Sequence, residues 1–214
     1  MAKRSQRVCF YIDGYNFYYG LKEINWKEYL WLDMVKLCKS LIKPEHKIIS
    51  VNYFSAPPLN ADSKKRRQKR FLDVNENNNL FKLHLSEHKP HNITCDACGE
   101  VIHTSTEKQT DVKIACELLS NCANRICDLS VLITGDSDLI PAIEAAKRID
   151  SNHKVLIFFP PKRLNYTMKS IADGWRDLGL LHMRKKFQNS VFPDDVELVN
   201  GTHISIPEKW KLCQ

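Results

Sequence analysis

Asp13, Asp111, Asp136 and Asp138 are the residues whose types and placement could do chemistry. Asp13 stands in YIDGYNF, directly after an apolar run. Gly14 behind it permits a tight turn, and Asn16 can point back toward the same edge. Asp111 stands in EKQTDVKIA, where a helical pattern begins, and Thr134-Gly135-Asp136-Ser137-Asp138 ends the apolar run LSVLIT. Carboxylates that converge repel one another unless a cation neutralises them. All-oxygen ligands suit Mg²⁺ or Mn²⁺, which keep coordinated water and acidify it into a nucleophile. That chemistry suits attack on a phosphodiester. Each acid taken singly is equally a helix cap or turn residue, and Pro141 after the Asp136 run fits capping. Three such sites at equivalent ends of one sheet are harder to explain by capping alone.

Two further groups could bind ligands. Lys64, Lys65, Arg66, Arg67, Lys69 and Arg70 put six positive charges into seven positions, and without them the rest of the +7 chain is close to neutral. Such a run is either a solvated helix face or a surface that gathers nucleic acid by counterion release, without reading sequence. Lys162 and Arg163 in PPKR could add phosphate contacts. Tyr15, Phe17, Tyr18 and Tyr19 after Asp13 could stack bases or pack the core. Cys95 and Cys98 form a CxxC knuckle bracketed by His84, His88, His91 and His103. Two thiolates supply half of a tetrahedral Zn²⁺ site, completed by two of those His or by a second chain. The alternative is a reduced thiol pair in a loop. Cys9 and Cys116 read as small core residues.

The elements that must position these groups follow from periodicity. Apolar runs at 8–12, 47–54, 129–134 and 154–159 read as strands, with shorter ones at 80–85 and 178–183. Helical patterns at 33–43, 62–76, 109–123, 138–149 and 165–174 separate them. Fully apolar strands alternating with helices imply a mainly parallel sheet covered on both faces, the α/β class. In such a sheet ligands bind beyond the carboxyl ends of the strands, where the strand order reverses. Asp13 and Asp136 stand at such ends. Residues 86–106 lack periodicity and read as a Cys/His insertion loop. Residues 187–214 read as an extension, with Asn200-Gly201 marking a hairpin turn.

At 43% hydrophobic and 27% charged, the chain is a globular domain rather than a disordered one. No apolar run reaches the roughly 20 residues of a membrane span. The N-terminus lacks a signal-peptide pattern, so a cytoplasmic protein with reduced cysteines is expected.

YIDGYNF, EKQTDVKIA and TGDSDLIPAI together resemble the signature blocks of NYN-domain proteins, a PIN-like nuclease branch, over most of the chain. FSAPP followed by RRQ, the CxxCG and VLIFFPPKR resemble a LabA-like bacterial subgroup that carries the same insertion. The resemblance implies a Rossmann-like three-layer α/β/α fold over residues 1–186. It implies an acidic Mg²⁺ or Mn²⁺ pocket of Asp13, Asp111, Asp136 and Asp138, with Asn16, Thr134 and Ser137 orienting ligands. It further implies hydrolysis of RNA to 5′-phosphate ends, Lys108 and Glu107 as part of the second block, and a homodimer as a compatible assembly. Glu117 stands where the family often has Asp. An RNA-binding regulator of the same fold with little activity is the alternative function. A small-phosphoester hydrolase is a third reading, against which the basic run argues.

Overall fold

The computed structural model describes residues 5–58, 62–94 and 98–211, and for 88–94 and 102–108 the backbone alone. In chain order the elements are β1 (Arg7–Asp13), α1 (Gly14–Glu23), α2 (Met34–Leu41), β2 (Lys47–Ser55), α3 (Asp62–Glu76), β3 (Phe81–Leu85), β4 (Glu87–Thr94), β5 (Val101–Lys108), α4 (Thr110–Ala123), β6 (Leu129–Ile133), α5 (Ile140–Ile149), β7 (Lys154–Phe159), α6 (Tyr166–Ile171), β8 (Gly174–Asp177), α7 (Arg184–Gln188), β9 (Asp195–Glu197) and β10 (His203–Ser205).

Six strands form one parallel sheet in the order β3-β2-β1-β6-β7-β8. The order runs outward from β1 in one direction and from β6 in the other. Strands β1 and β6 are therefore the topological switch point. Alternation along each strand divides the side chains between two cores. Val8, Phe10, Ile12, Val131 and Ile133 pack with Phe17 and Leu21 of α1, Leu37 of α2, Phe71 of α3 and Phe187 of α7. Cys9, Tyr11, Leu132 and Ile157 pack with Ile114 and Leu118 of α4, Ile143 of α5 and Met168 of α6. The three-layer α/β/α expectation is met.

Three local expectations are corrected. Within 86–106, Glu87–Thr94 and the residues from Val101 on are not loop: β4 and β5 pair antiparallel from Glu87↔Lys108 to Thr94↔Val101, as a two-stranded sheet separate from the main one. A two-stranded ribbon needs no alternating apolar face to satisfy its backbone, so periodicity misses it. Pro90 is tolerated because both strands are edges. The last parallel strand is Gly174–Asp177, not 178–183. An edge strand can be polar, and the apolar run after it forms a short 3₁₀ turn at Leu181–Met183, with Met183 buried and Leu181 80% exposed. Cys116 faces outward on α4, whereas Cys9 is buried. At the C-terminal side, β9 and β10 form an antiparallel hairpin, and Ile206 and Trp210 join the core beside α1–α3.

Candidate active site

The site is assembled from chain turns at the carboxyl ends of β1 and β6. Asp13 ends β1 and caps α1: its Oδ1 accepts from the Asn16 N–H at 2.9 Å. An Asp cap favours a helix start because it satisfies one of the orphan amides. The same carboxylate accepts through Oδ2 from the Thr134 hydroxyl at 3.1 Å. Thr134 Oγ1 in turn accepts from the Asp136 N–H at 3.1 Å, and Asn16 Oδ1 accepts from the Gly135 N–H at 3.1 Å. These bonds pin the two strand exits together. Asp136 then caps the next turn by accepting from the Asp138 N–H at 3.0 Å.

Gly135 has no room for a side chain. A Cβ there would lie 2.0 Å from the carbonyl oxygen of Arg163. The 160–165 loop is thus pressed onto the exit of β6, and Asn165 Nδ2 donates to the Gly135 carbonyl at 3.4 Å.

Asp111 arrives from the other core. Gln109, with φ of 79°, turns the chain sharply into α4. The buried Thr110 hydroxyl donates to Ser86 Oγ at 2.9 Å, and the Ser86 N–H donates to the carbonyl of Ser55 at the end of β2. Helix α4 is therefore anchored to the ends of β2 and β3, with Asp111 in its first turn. Asp13, Asp111 and Asp136 each bring a carboxylate oxygen within 4.8 Å of the others. Asp13 is only 5% exposed. Burial pushes its carboxyl up to about 6, with Asp111 and Asp136 adding to the rise against the Asn16 and Thr134 hydrogen bonds.

The other expected residues are distributed as follows. Asp138 and Ser137 are exposed on the turn after Asp136, and Asp138 lies outside the three-carboxylate group. Glu117 accepts from Asn121, which also donates to Tyr11 Oη. That places it further along α4, away from the cluster. Arg163 is engaged by Glu23, Nη1 at 3.0 Å and Nη2 closer still. Lys162 is exposed at a positive-φ turn. Lys64, Lys65, Arg66, Arg67, Lys69 and Arg70 all lie on α3, but not on one face. Lys64 and Arg67 look toward α1, while Arg66, Lys69 and Arg70 look toward the β10 hairpin. Lys69 is held by Asp73 at 2.8 Å. Phe17 belongs to the core, stacked on Phe187, whereas Tyr15, Tyr18 and Tyr19 reach the surface. His84 stacks on Phe54 at 4.4 Å and its Nε2 meets Asn52 Oδ1 at 3.2 Å. Burial lowers its pKa. Cys95 and the side chains of His88, His91, His103, Glu107 and Lys108 lie outside the described residues, and Cys98 is exposed. The Ser86–Thr110 anchor was missed by sequence reasoning. Its only trace is the Gln-Thr-Asp entry to α4.

The NYN domain family model matches residues 7–178. The chain belongs to the NYN domain family. Its three converging carboxylates stand at the switch point of the PIN-like nuclease fold of that family. No curated protein matches the chain. Among solved structures, the NYN domain is similar to a Vibrio parahaemolyticus protein of unknown function. The two are 19% identical over 82% of this chain and 94% of the other, with a TM-score of 0.53, a likeness of fold alone. Among the described residues no helix is long and apolar enough to cross a membrane.

Proposed function

We propose that this NYN protein is a metal-dependent endoribonuclease. The observation that carries the reading is the meeting of Asp13, Asp111 and Asp136 at the carboxyl ends of β1 and β6. Their donors are all hard oxygens, the set that fits Mg²⁺ or Mn²⁺. Burial raises the Asp13 carboxyl, Asp111 and Asp136 add to the rise, and a bound cation would offset both. Asp13, Asp111 and Asp136 would hold the ion, with Asp138 exposed on the turn that Asp136 caps. When bound, such an ion acidifies a coordinated water and neutralises charge on a phosphate. The chain's own residues do the rest. Thr134 and the Asn16 amide each fix one oxygen of Asp13, so the carboxylate cannot rotate out of line. The Asn16 side chain holds the β6 exit against α1. Lys64 and Arg67 hold the substrate backbone, and Ser137 and Lys162 stand exposed near the rim for further phosphate contacts.

The test is cleavage of an end-labelled unpaired RNA with Mn²⁺. Asp13→Asn and Asp136→Asn abolish cleavage and leave RNA binding largely intact. Variants that cut as fast as wild type would refute the assignment. Tight binding without products from the wild-type chain favours the RNA-binding regulator instead, and turnover of a chromogenic phosphoester favours a small-substrate hydrolase. A structural zinc on Cys95 and Cys98, between β4 and β5, belongs to the same proposal. Its remaining ligands come from His84, His88, His91, His103 or a second chain, His84 through Nδ1 because its Nε2 meets Asn52. Metal analysis of untagged protein tests it, and zinc near zero per chain removes it.

A further inference from the structure

A second concavity opens at the same carboxyl edge, between α1 and α3, with a volume of about 300 Å³. Gly14, the residue after Asp13, lines it, so one helical turn joins it to the carboxylates. Tyr15, Tyr18 and Tyr19 form the α1 wall, and Lys64 and Arg67 of α3 face them. The rings contact one another, Tyr15 to Tyr19 at 4.4 Å and Tyr18 to Tyr19 edge-on at 5.2 Å. Lys22 Nζ stands over both Tyr18 and Tyr19, at 5.4 and 5.2 Å from the ring centres. Tyr15 is 57% exposed, and Tyr18 and Tyr19 are half-buried. Aromatic surface beside cations suits a ligand that is both flat and anionic, which a nucleotide is. The volume is at the lower end of those that hold small organic ligands.

We infer that this pocket takes an unpaired base of the RNA, next to the nucleotide whose phosphate meets Asp13, Asp111 and Asp136. Only a base out of its stack can reach the ring faces, so the preferred substrate is single-stranded RNA or an unpaired stretch. Lys22, Lys64 and Arg67 hold the phosphates that flank that base. The inference rests on the nuclease reading for the position of the scissile phosphate. The base pocket itself is a binding property and is measured without cleavage.

The experiment uses the full chain in chelator, with a fluorescein-labelled oligouridylate and an RNA duplex of equal length as the two probes. The double variant Tyr18→Ala/Tyr19→Ala weakens oligouridylate binding by about tenfold or more. Its duplex affinity stays at the wild-type value. Tyr18→Phe/Tyr19→Phe, which keeps both rings, restores oligouridylate binding and separates stacking from misfolding. Unchanged oligouridylate binding in the Ala variant, or an equal loss on both probes, overturns the pocket. Cleavage with Mn²⁺ is scored separately on the same proteins. A wild-type chain that cuts alongside an Ala variant that binds and cuts equally well removes the pocket and keeps the nuclease. A wild-type chain that binds through the tyrosines but cuts nothing removes the nuclease and keeps the pocket.

Discussion

At the scale of single residues, Asp13 carries an electrostatic cost within the candidate site. A buried carboxylate facing two others is costly when charged, and its carboxyl is raised to about 6. A folded value above the unfolded one of about 3.9 means that folding favours the protonated form. That stabilisation is complete below about pH 4 and is lost as pH rises through 6. In chelator, the wild-type chain is therefore expected to lose stability between pH 4 and 7 by up to about 3 kcal/mol from this group. Asp13→Asn removes that pH dependence and raises the midpoint of denaturation at pH 7. Asn still caps α1, and its amide can donate to Thr134 Oγ1. Added Mn²⁺ stabilises the wild type but not the variant. Denaturant titrations with and without Mn²⁺ at several pH values check both statements, and a variant less stable than wild type at pH 7 contradicts them. Gly135→Ala is expected to destabilise by about 1–3 kcal/mol, because the Arg163 backbone must retreat from the new methyl. Thermal denaturation reads that loss directly.

At the scale of elements, α3 illustrates why a count of charges is a poor guide to binding. Its cations split between two faces, and Lys69 is already paired with Asp73 across one helical turn. Lys64→Ala and Arg67→Ala are expected to weaken RNA binding and each lower the salt slope by roughly one. Lys69→Ala should change the slope less. Equal slopes for all three would show that the whole helix, not its α1 side, meets RNA. The entry to α4 is the other decisive element. Ser86→Ala removes the hydrogen bond between the Thr110 hydroxyl and Ser86 Oγ, at a cost of about 1 kcal/mol. Because that bond anchors Asp111, Mn²⁺ affinity should fall as well, which isothermal titration measures. The hairpin β4–β5 was invisible to periodicity because two paired edges need no alternating apolar face.

At the scale of the molecule, the chain beyond the parallel sheet is part of the same core. Trp31 is fully buried, donates through Nε1 to the Pro193 carbonyl at 2.9 Å and packs against Phe192 and Trp210. Deleting residues 193–214 exposes this surface together with that around Ile206. A loss of at least about 3 kcal/mol is expected from two large apolar side chains alone. A truncated chain that melts at the wild-type temperature would show that this segment is only an appendage. Trp210 also lines the tyrosine pocket, so the same deletion should weaken binding of unpaired RNA.

The α/β class, most of the parallel strands and the acids that meet in the cluster were legible in the sequence. Burial on two faces writes continuous apolar runs, and the strand exits fall at the ends of those runs. Asp13 and Asp136 could be read there because each stands just beyond such a run, and the glycines after Asp13 and before Asp136 are sites of close backbone approach, to Phe54 and to Arg163. Long-range contacts leave no such local trace. The resemblance already grouped Asp111 with the other two; only the tertiary structure shows how it is held there, through Thr110 and Ser86, which are 24 residues apart. Only it separated Asp138 and Glu117 from the cluster and engaged Arg163 with Glu23. It also turned one run of six cations into two faces, because a helix rotates each successive residue by about 100° and its neighbours decide which side meets the tyrosines.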